Sequence, residues 1–148
     1  MNVSTVPQAL DRLVALGALA LPDTDIIDGQ PIVTDGDFVA IGFTGLQGEE
    51  AVEAARTTEQ MGAQPDREIY DITCLASSWS GDGDPKAVRD QAYVLVDAFA
   101  TALKGDRTLG GLAMRARLST VALAQEQTEM GALATVRFIV RVDAFTRP

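Results

Sequence analysis

Histidine is absent from this chain of 148 residues, and cysteine occurs once, at Cys74. The first absence removes imidazole as a general base and as a metal ligand. The second excludes an internal disulfide. The neighbours Ile72 and Leu75 give Cys74 the setting of a thiol buried in a strand rather than a reactive one, which suits a cytoplasmic redox compartment. Long hydrophobic runs are also missing. The longest, LVALGALAL from Leu13 to Leu21, falls well short of the ~20 apolar residues that span a bilayer, so no membrane partner is expected. The first charged residue is Asp11, not the basic start of a secretory leader, and no targeting peptide is expected. No glycine-rich phosphate loop with a following lysine is present, and LGG at Leu109–Gly111 is too short to serve as one. Basic residues are few: 12 Lys and Arg stand against 21 Asp and Glu, a net charge of −9. That balance repels phosphates at long range and disfavours free nucleic acid as a partner.

The composition is 47% hydrophobic and 22% charged, which places the chain among globular proteins and far from the disordered class. Its length predicts one domain over residues 1–148, with a core that needs neither disulfide nor structural metal. The charge is divided unevenly. Residues 1–84 carry fifteen carboxylates against Arg12, Arg56 and Arg67, a net of −12, whereas residues 85–148 carry six against nine basic residues, a net of +3. Such a division arises in an ordinary solvated surface, or from self-complementarity in which an acidic region of one subunit meets a basic region of the next.

Local signals order the elements. Thr5–Gln8 matches the capping box Thr-x-x-Gln with Pro7 in the first turn, and Val6, Leu10, Leu13, Val14 and Gly17 follow on one helical face until Pro22. Short strands are predicted at Ile26–Ile27 and Ile32–Val33, and a better one over DFVAIGF, residues 37–43. For EEAVEAARTTEQM, residues 49–61, propensity favours helix, but its position between two strands and short glycine breaks favours strand, which is the reading adopted. REIYDITCLASSW, residues 67–79, alternates Tyr70, Ile72, Cys74 and Ala76 with Asp71, Thr73, Leu75 and Ser77, and reads as a strand. Asp84 is the expected N-cap of a long helix with Pro85 at its first position. Val88, Ala92, Leu95, Val96, Phe99 and Leu103 form its apolar stripe, and Gly105 its expected cap. Two strands, 113–125 and 133–145, close the chain around a turn containing Gly131.

Candidate catalytic and metal sites are weak. GDGD at 81–84 resembles half of a calcium loop, but it lacks the acidic residue at the loop's end and runs straight into a helix, so a turn with an N-cap explains it. Asp23, Asp25, Asp28, Asp35 and Asp37 are numerous enough for a magnesium site, yet all lie in turn-like sequence where Asp is favoured for local hydrogen bonding. Carboxylates and lysines remain as acid–base groups with nothing to pair them. The expectation is therefore no catalytic residue, no cofactor and no metal.

The closing hairpin is the most informative feature. On its last strand Val136, Phe138, Val140 and Val142 point one way, and Arg137, Ile139, Arg141 and Asp143 the other. On the preceding strand Arg115 and Arg117 share a face opposite Met114, Ala116 and Leu118. With the apolar sets facing one core, Arg115, Arg117, Arg137 and Arg141 lie on the outer face beside Ile139, with Phe145 nearby. A solvated outer face accounts for this as well, because antiparallel sheets often leave one side wet. A nucleic-acid platform wants exposed aromatics between the basic residues, and Phe138 points inward. Arginines beside a branched aliphatic suit a protein interface, and these five residues are its candidates.

The order of elements, with REIYDITCLASSWSGDGD leading into a long helix, then LGG and a terminal strand pair ending VRFIVRVDAF, resembles the tail terminator, or tail completion, proteins of long-tailed bacteriophages. The resemblance covers nearly the whole chain and rests on strand, helix and glycine-turn patterns, with no catalytic signature. It implies an α/β (α+β) subunit with a mixed, mainly antiparallel sheet, an N-terminal helix and one long helix packed on it. It further implies a homo-oligomeric ring, a hexamer, at the head-proximal end of the tail in the virion, assembled in the host cytoplasm. Such a ring caps the tail tube protein, ends its polymerisation and offers the surface for head–tail joining. DNA crosses it only in transit, so a negative lumen is sensible. The alternatives are a neck or head–tail connector protein, a tail tube protein, and a small acidic metal-dependent enzyme.

Overall fold

In the computed structural model, which describes residues 3–32, 36–46, 48–57 and 66–146, the chain runs through α1 (Val6–Ala20), β1 (Asp25–Asp28), β2 (Phe38–Ile41), β3 (Val52–Thr57), β4 (Asp66–Ser80), α2 (Pro85–Gly105), β5 (Arg115–Thr128) and β6 (Gly131–Thr146). The strands form one sheet in the order β1-β2-β4-β6-β5, with β3 also paired to β4. β1 and β2 are parallel; the other pairings among the described residues are antiparallel. The fold is thus α+β with a mixed, mainly antiparallel sheet, as expected.

The long strands β4 and β6 hold the centre because their period-2 alternation supplies one continuous apolar face. Tyr70, Ile72, Cys74 and Ala76 on β4 and Val136, Phe138, Val140, Val142 and Ala144 on β6 are all buried. The stripe of α2 lies across this face. Its six apolar residues are buried, and the Phe99 and Phe138 ring centroids are 5.3 Å apart at 53°. That tilted arrangement adds to what burial of two large rings supplies. Ala9 and Leu13 of α1 join the same cluster, so both helices cover one side of the sheet.

Most local signals agree with the structure. Asp84 caps α2, its carboxylate accepting from Lys86 N at 3.1 Å and Ala87 N at 3.3 Å, with Pro85 at the first position. β3 confirms the strand reading within residues 49–61: Val52–Thr57 pair with β4 from Thr57↔Arg67 through Val52↔Ile72, and residues 58–61 lie outside the described residues. The edge of β4 supplies a row of backbone partners that outweighs helix propensity.

Five expectations need correction. Thr5 precedes α1, but its hydroxyl does not cap the helix; it is drawn instead to the buried carboxylate of Glu68. Ile32 is in a bend, 96% exposed, and belongs to no strand; Val33 lies outside the described residues. Gly105 is the last helical residue and Asp106 the C-cap, at φ −142°. The chain leaves α2 through turns and reserves left-handed backbone for Leu109, Gly110 and Gly111, at φ 50°, 69° and 89°. The hairpin turn is Glu129–Met130, with Gly131 opening β6 at φ 138°. A side chain there would run into the carbonyl oxygen of Ser80, so the close approach of two backbones requires glycine. Met114 precedes β5 and is 46% exposed instead of joining the core face, since β5 begins only at Arg115.

Candidate functional site

The face of the sheet away from the helices carries the residues singled out in the hairpin. On β6 the inner residues are buried while Arg137, Ile139 and Asp143 are half-buried and Arg141 is exposed. Cross-strand register brings the rest together: Arg115 lies opposite Asp143, Arg117 opposite Arg141, and Arg137 between Leu75 and Ala122. Arg115, Arg117, Arg137, Ile139 and Arg141 therefore share one face, as the alternation predicts.

Their surroundings differ, which alternation does not reveal. Arg137 donates from Nε to the carbonyl oxygen of Thr44 at 3.0 Å, holding the segment after β2 against the outer face. Arg141 grips Asp71 of β4, with Nε–Oδ1 at 3.0 Å and Nη2–Oδ2 at 3.4 Å. The side chains of Arg115 and Arg117 have no ion-pair or hydrogen-bond partner among the described residues. One further arginine belongs to the cluster: Arg67 on β4 makes a two-pronged contact with Asp143, at 3.2 and 2.8 Å. It lies in the same phase as Asp71 and Thr73, so alternation places it on this face, but only the β4–β6 pairing shows that it meets the arginines. Arg67, Arg115, Arg117, Arg141, Ile69 and Asp143 wall a hollow of about 250 Å³. Its chemistry is that of a carboxylate or other anion receptor, because guanidinium forks match planar oxyanions.

A second polar cluster is buried. Glu68 is in phase with Tyr70 and Ile72, a charged residue at a core position, and is only 2% exposed. It reaches the start of α1, where Oε1 accepts from Thr5 N at 2.9 Å and Thr5 Oγ1 at 2.7 Å, and Oε2 accepts from Ser4 Oγ at 2.6 Å. The Tyr70 hydroxyl lies 2.9 Å from Thr5 Oγ1. A carboxylate at a helix N-terminus is favoured by the backbone dipoles and satisfies otherwise orphaned donors. This explains why Thr5 gives up its own capping role. With its oxygens fully engaged, Glu68 is an anchor for α1.

Burial pushes the Cys74 thiol from its ordinary 9.0 up to about 12. It likewise raises the Tyr70 hydroxyl from 10.0 to about 12, with the negative charge of Glu68 adding to the effect. Both groups are held protonated, so the thiol is not a nucleophile near neutrality. In both cases the folded pKa exceeds the unfolded one. The associated stability is fully present below pH 9 and is lost as pH rises through the window from about 9 to 12. Urea unfolding across that range should show a falling midpoint whose slope is reduced in Cys74→Ala. An unchanged slope in that variant would contradict burial of the thiol.

Among the described residues, no group of three or more Cys, Asp or Glu side chains is placed to hold a metal ion. Asp82 is exposed, Asp84 is engaged as a cap, and Asp35 lies outside the described residues. Among the described residues no helix is long and apolar enough to cross a membrane.

No protein-family model matches the chain, and no curated protein matches it. Among solved structures it is similar to a chain from the virion of a native gene transfer agent particle, at 12% identity and a TM-score of 0.48, over 98% of this chain and 100% of that one.

Proposed function

We propose that the protein is a structural subunit of a phage virion that assembles, as a hexamer, into the ring capping the tail tube. The observation that supports this reading is the outer sheet face. Both helices are spent on the other side, and this side presents Arg115, Arg117 and Arg141 beside the half-buried Ile69 and Ile139 and the 38% exposed Phe145. Arginine mixed with aliphatic and aromatic groups on a sheet face that neither helix covers is the composition of a protein-recognition surface. Its partners would be neighbouring subunits, the tail tube protein on one side of the ring and a neck or connector protein on the other. The role needs no cofactor and no catalytic group, and the net charge of −9 suits a lumen through which DNA slides without being held.

Deletion of the gene from the phage that carries it, followed by electron microscopy of the particles, tests this. Overgrown tails lacking heads are expected. Tails of normal length that fail to join heads would point to a neck protein instead, absence of tails to a tube protein, and intact infectious particles would remove the chain from tail assembly altogether.

A further inference from the structure

The sheet has two flanks of opposite charge. One is β5, which among the described residues pairs only with β6. At its start Arg115 and Arg117 stand exposed between two hollows: the arginine-walled one on the outer face, and a second of about 350 Å³ toward the end of α2, floored by Leu103, Ala116 and Leu118 and rimmed by Lys104 and Arg107. Arg117 lies directly across from Arg141. Like charges opposed in this way destabilise a strand pair, and the cost is relieved when an anion sits between or beside them. Asp71 and Asp143 are engaged by Arg141 and Arg67, which leaves Arg115 and Arg117 without a counter-charge among the described residues.

The other flank is formed by β3 on the side of β4 away from β6. Glu53 on β3 and Glu49 and Glu50 just before it are exposed and make no ion pair among the described residues. Glu53 is in register with Asp71, hence on the outer face, and β3 pairs with the stretch of β4, Arg67–Ile72, that also walls the arginine hollow. The unpartnered Glu53 and the unpartnered Arg115 and Arg117 thus sit on opposite flanks of one sheet, on the same face and at the same height along the central strands, with Glu49 and Glu50 just before β3.

We infer that the occupant of the arginine hollow is a second copy of this chain, whose Glu49–Glu53 segment delivers carboxylates to Arg115 and Arg117. The inference rests on the ring reading above and supplies its joint. A two-fold contact of one flank with its own copy would set like charge against like, whereas joining the basic flank of one subunit to the acidic flank of the next sets opposite charges together and leaves a fresh acidic and a fresh basic flank on each pair. Such a head-to-tail joint repeats until the rotation closes.

Two charge-reversed variants test the joint: R115E/R117E, and E50K/E53K. All four positions are exposed, and retention of the wild-type circular dichroism spectrum and of a cooperative melt confirms folding, the melting temperature itself being free to fall with the loss of assembly. Each variant alone should lose self-association by about a hundredfold in sedimentation, because like charges now meet at every joint. An equimolar mixture should recover it. In an alternating ring, the carboxylates introduced on β5 of one variant would face the ammonium groups introduced on and just before β3 of the other, and the next joint is wild type on both sides. Wild-type protein that stays monomeric at all concentrations, a folded single variant that assembles normally, or a mixture that stays dissociated would each overturn the inference. Tail length in the gene deletion reads the capping role and the mixture reads the joint, so either can fail without the other.

Discussion

Phe138→Ala is expected to lower the free energy of unfolding by about 3–5 kcal/mol, the cost typical of deleting a fully buried phenylalanine and leaving a cavity. Phe138 is 0% exposed at the middle of β6, between the central strand and α2, and its ring meets Phe99, also 0% exposed, at 5.3 Å. Collapse around the gap is resisted because the site is bounded by a strand held on both sides, by β4 and by β5. Phe99→Ala should cost about as much, and the double variant less than the sum. The shortfall is the ring–ring coupling, about 0.5–1.5 kcal/mol. Urea denaturation of the four proteins measures all three quantities. If Phe138→Ala were silent while Arg137→Ala unfolded the chain, the faces of β6 would be the reverse of those described. Arg137→Ala should instead lose only the bond to Thr44 and loosen the segment after β2.

Glu68→Ala is expected to cost about 2–5 kcal/mol. Removing one side of a buried charge-assisted network leaves its partners unsatisfied, at roughly 1–3 kcal/mol for each buried donor. The donor left without a partner is the Thr5 amide, while the Thr5 hydroxyl can turn to Tyr70 at 2.9 Å; Thr5 is 5% exposed and unable to turn to water without displacing α1. Ser4, half-buried, can rehydrate and should contribute less. Glu68→Gln keeps an oxygen for Thr5 and should lose about half as much. Amide hydrogen exchange locates the effect: protection should fall first in the opening turn of α1 and least in α2, which is capped independently by Asp84. Equal loss of protection throughout, or an Ala variant within about 0.5 kcal/mol of wild type, would show that Glu68 does not anchor the helix.

Several features were legible without a structure because they depend on residues a few positions apart. The start of α2 at Asp84–Pro85 follows from a side chain reaching the amides two and three residues on. Its buried stripe follows from the 3.6-residue turn, and the faces of β4 and β6 from period-2 alternation. Each is a local geometric rule, and the hydrophobic effect only had to choose which face went inward. Other features were decided by pairings across long stretches of chain. The strand β3 forms because an edge of β4 was open to it. Glu68 is tolerated at a core position because α1 brings its donors there from 63 residues away, and in doing so cancels the capping box that Thr5 and Gln8 spell out. The arginines are indistinguishable by alternation alone. Arg141 and Arg67 find carboxylates because β4 lies beside β6, whereas Arg115 and Arg117 remain open because, among the described residues, no strand lies beyond β5. Charge composition showed that acid and base were unequally shared between the two halves of the chain. Only the strand order, which is fixed by tertiary packing and not by any local preference, turned that imbalance into two opposed flanks of one sheet.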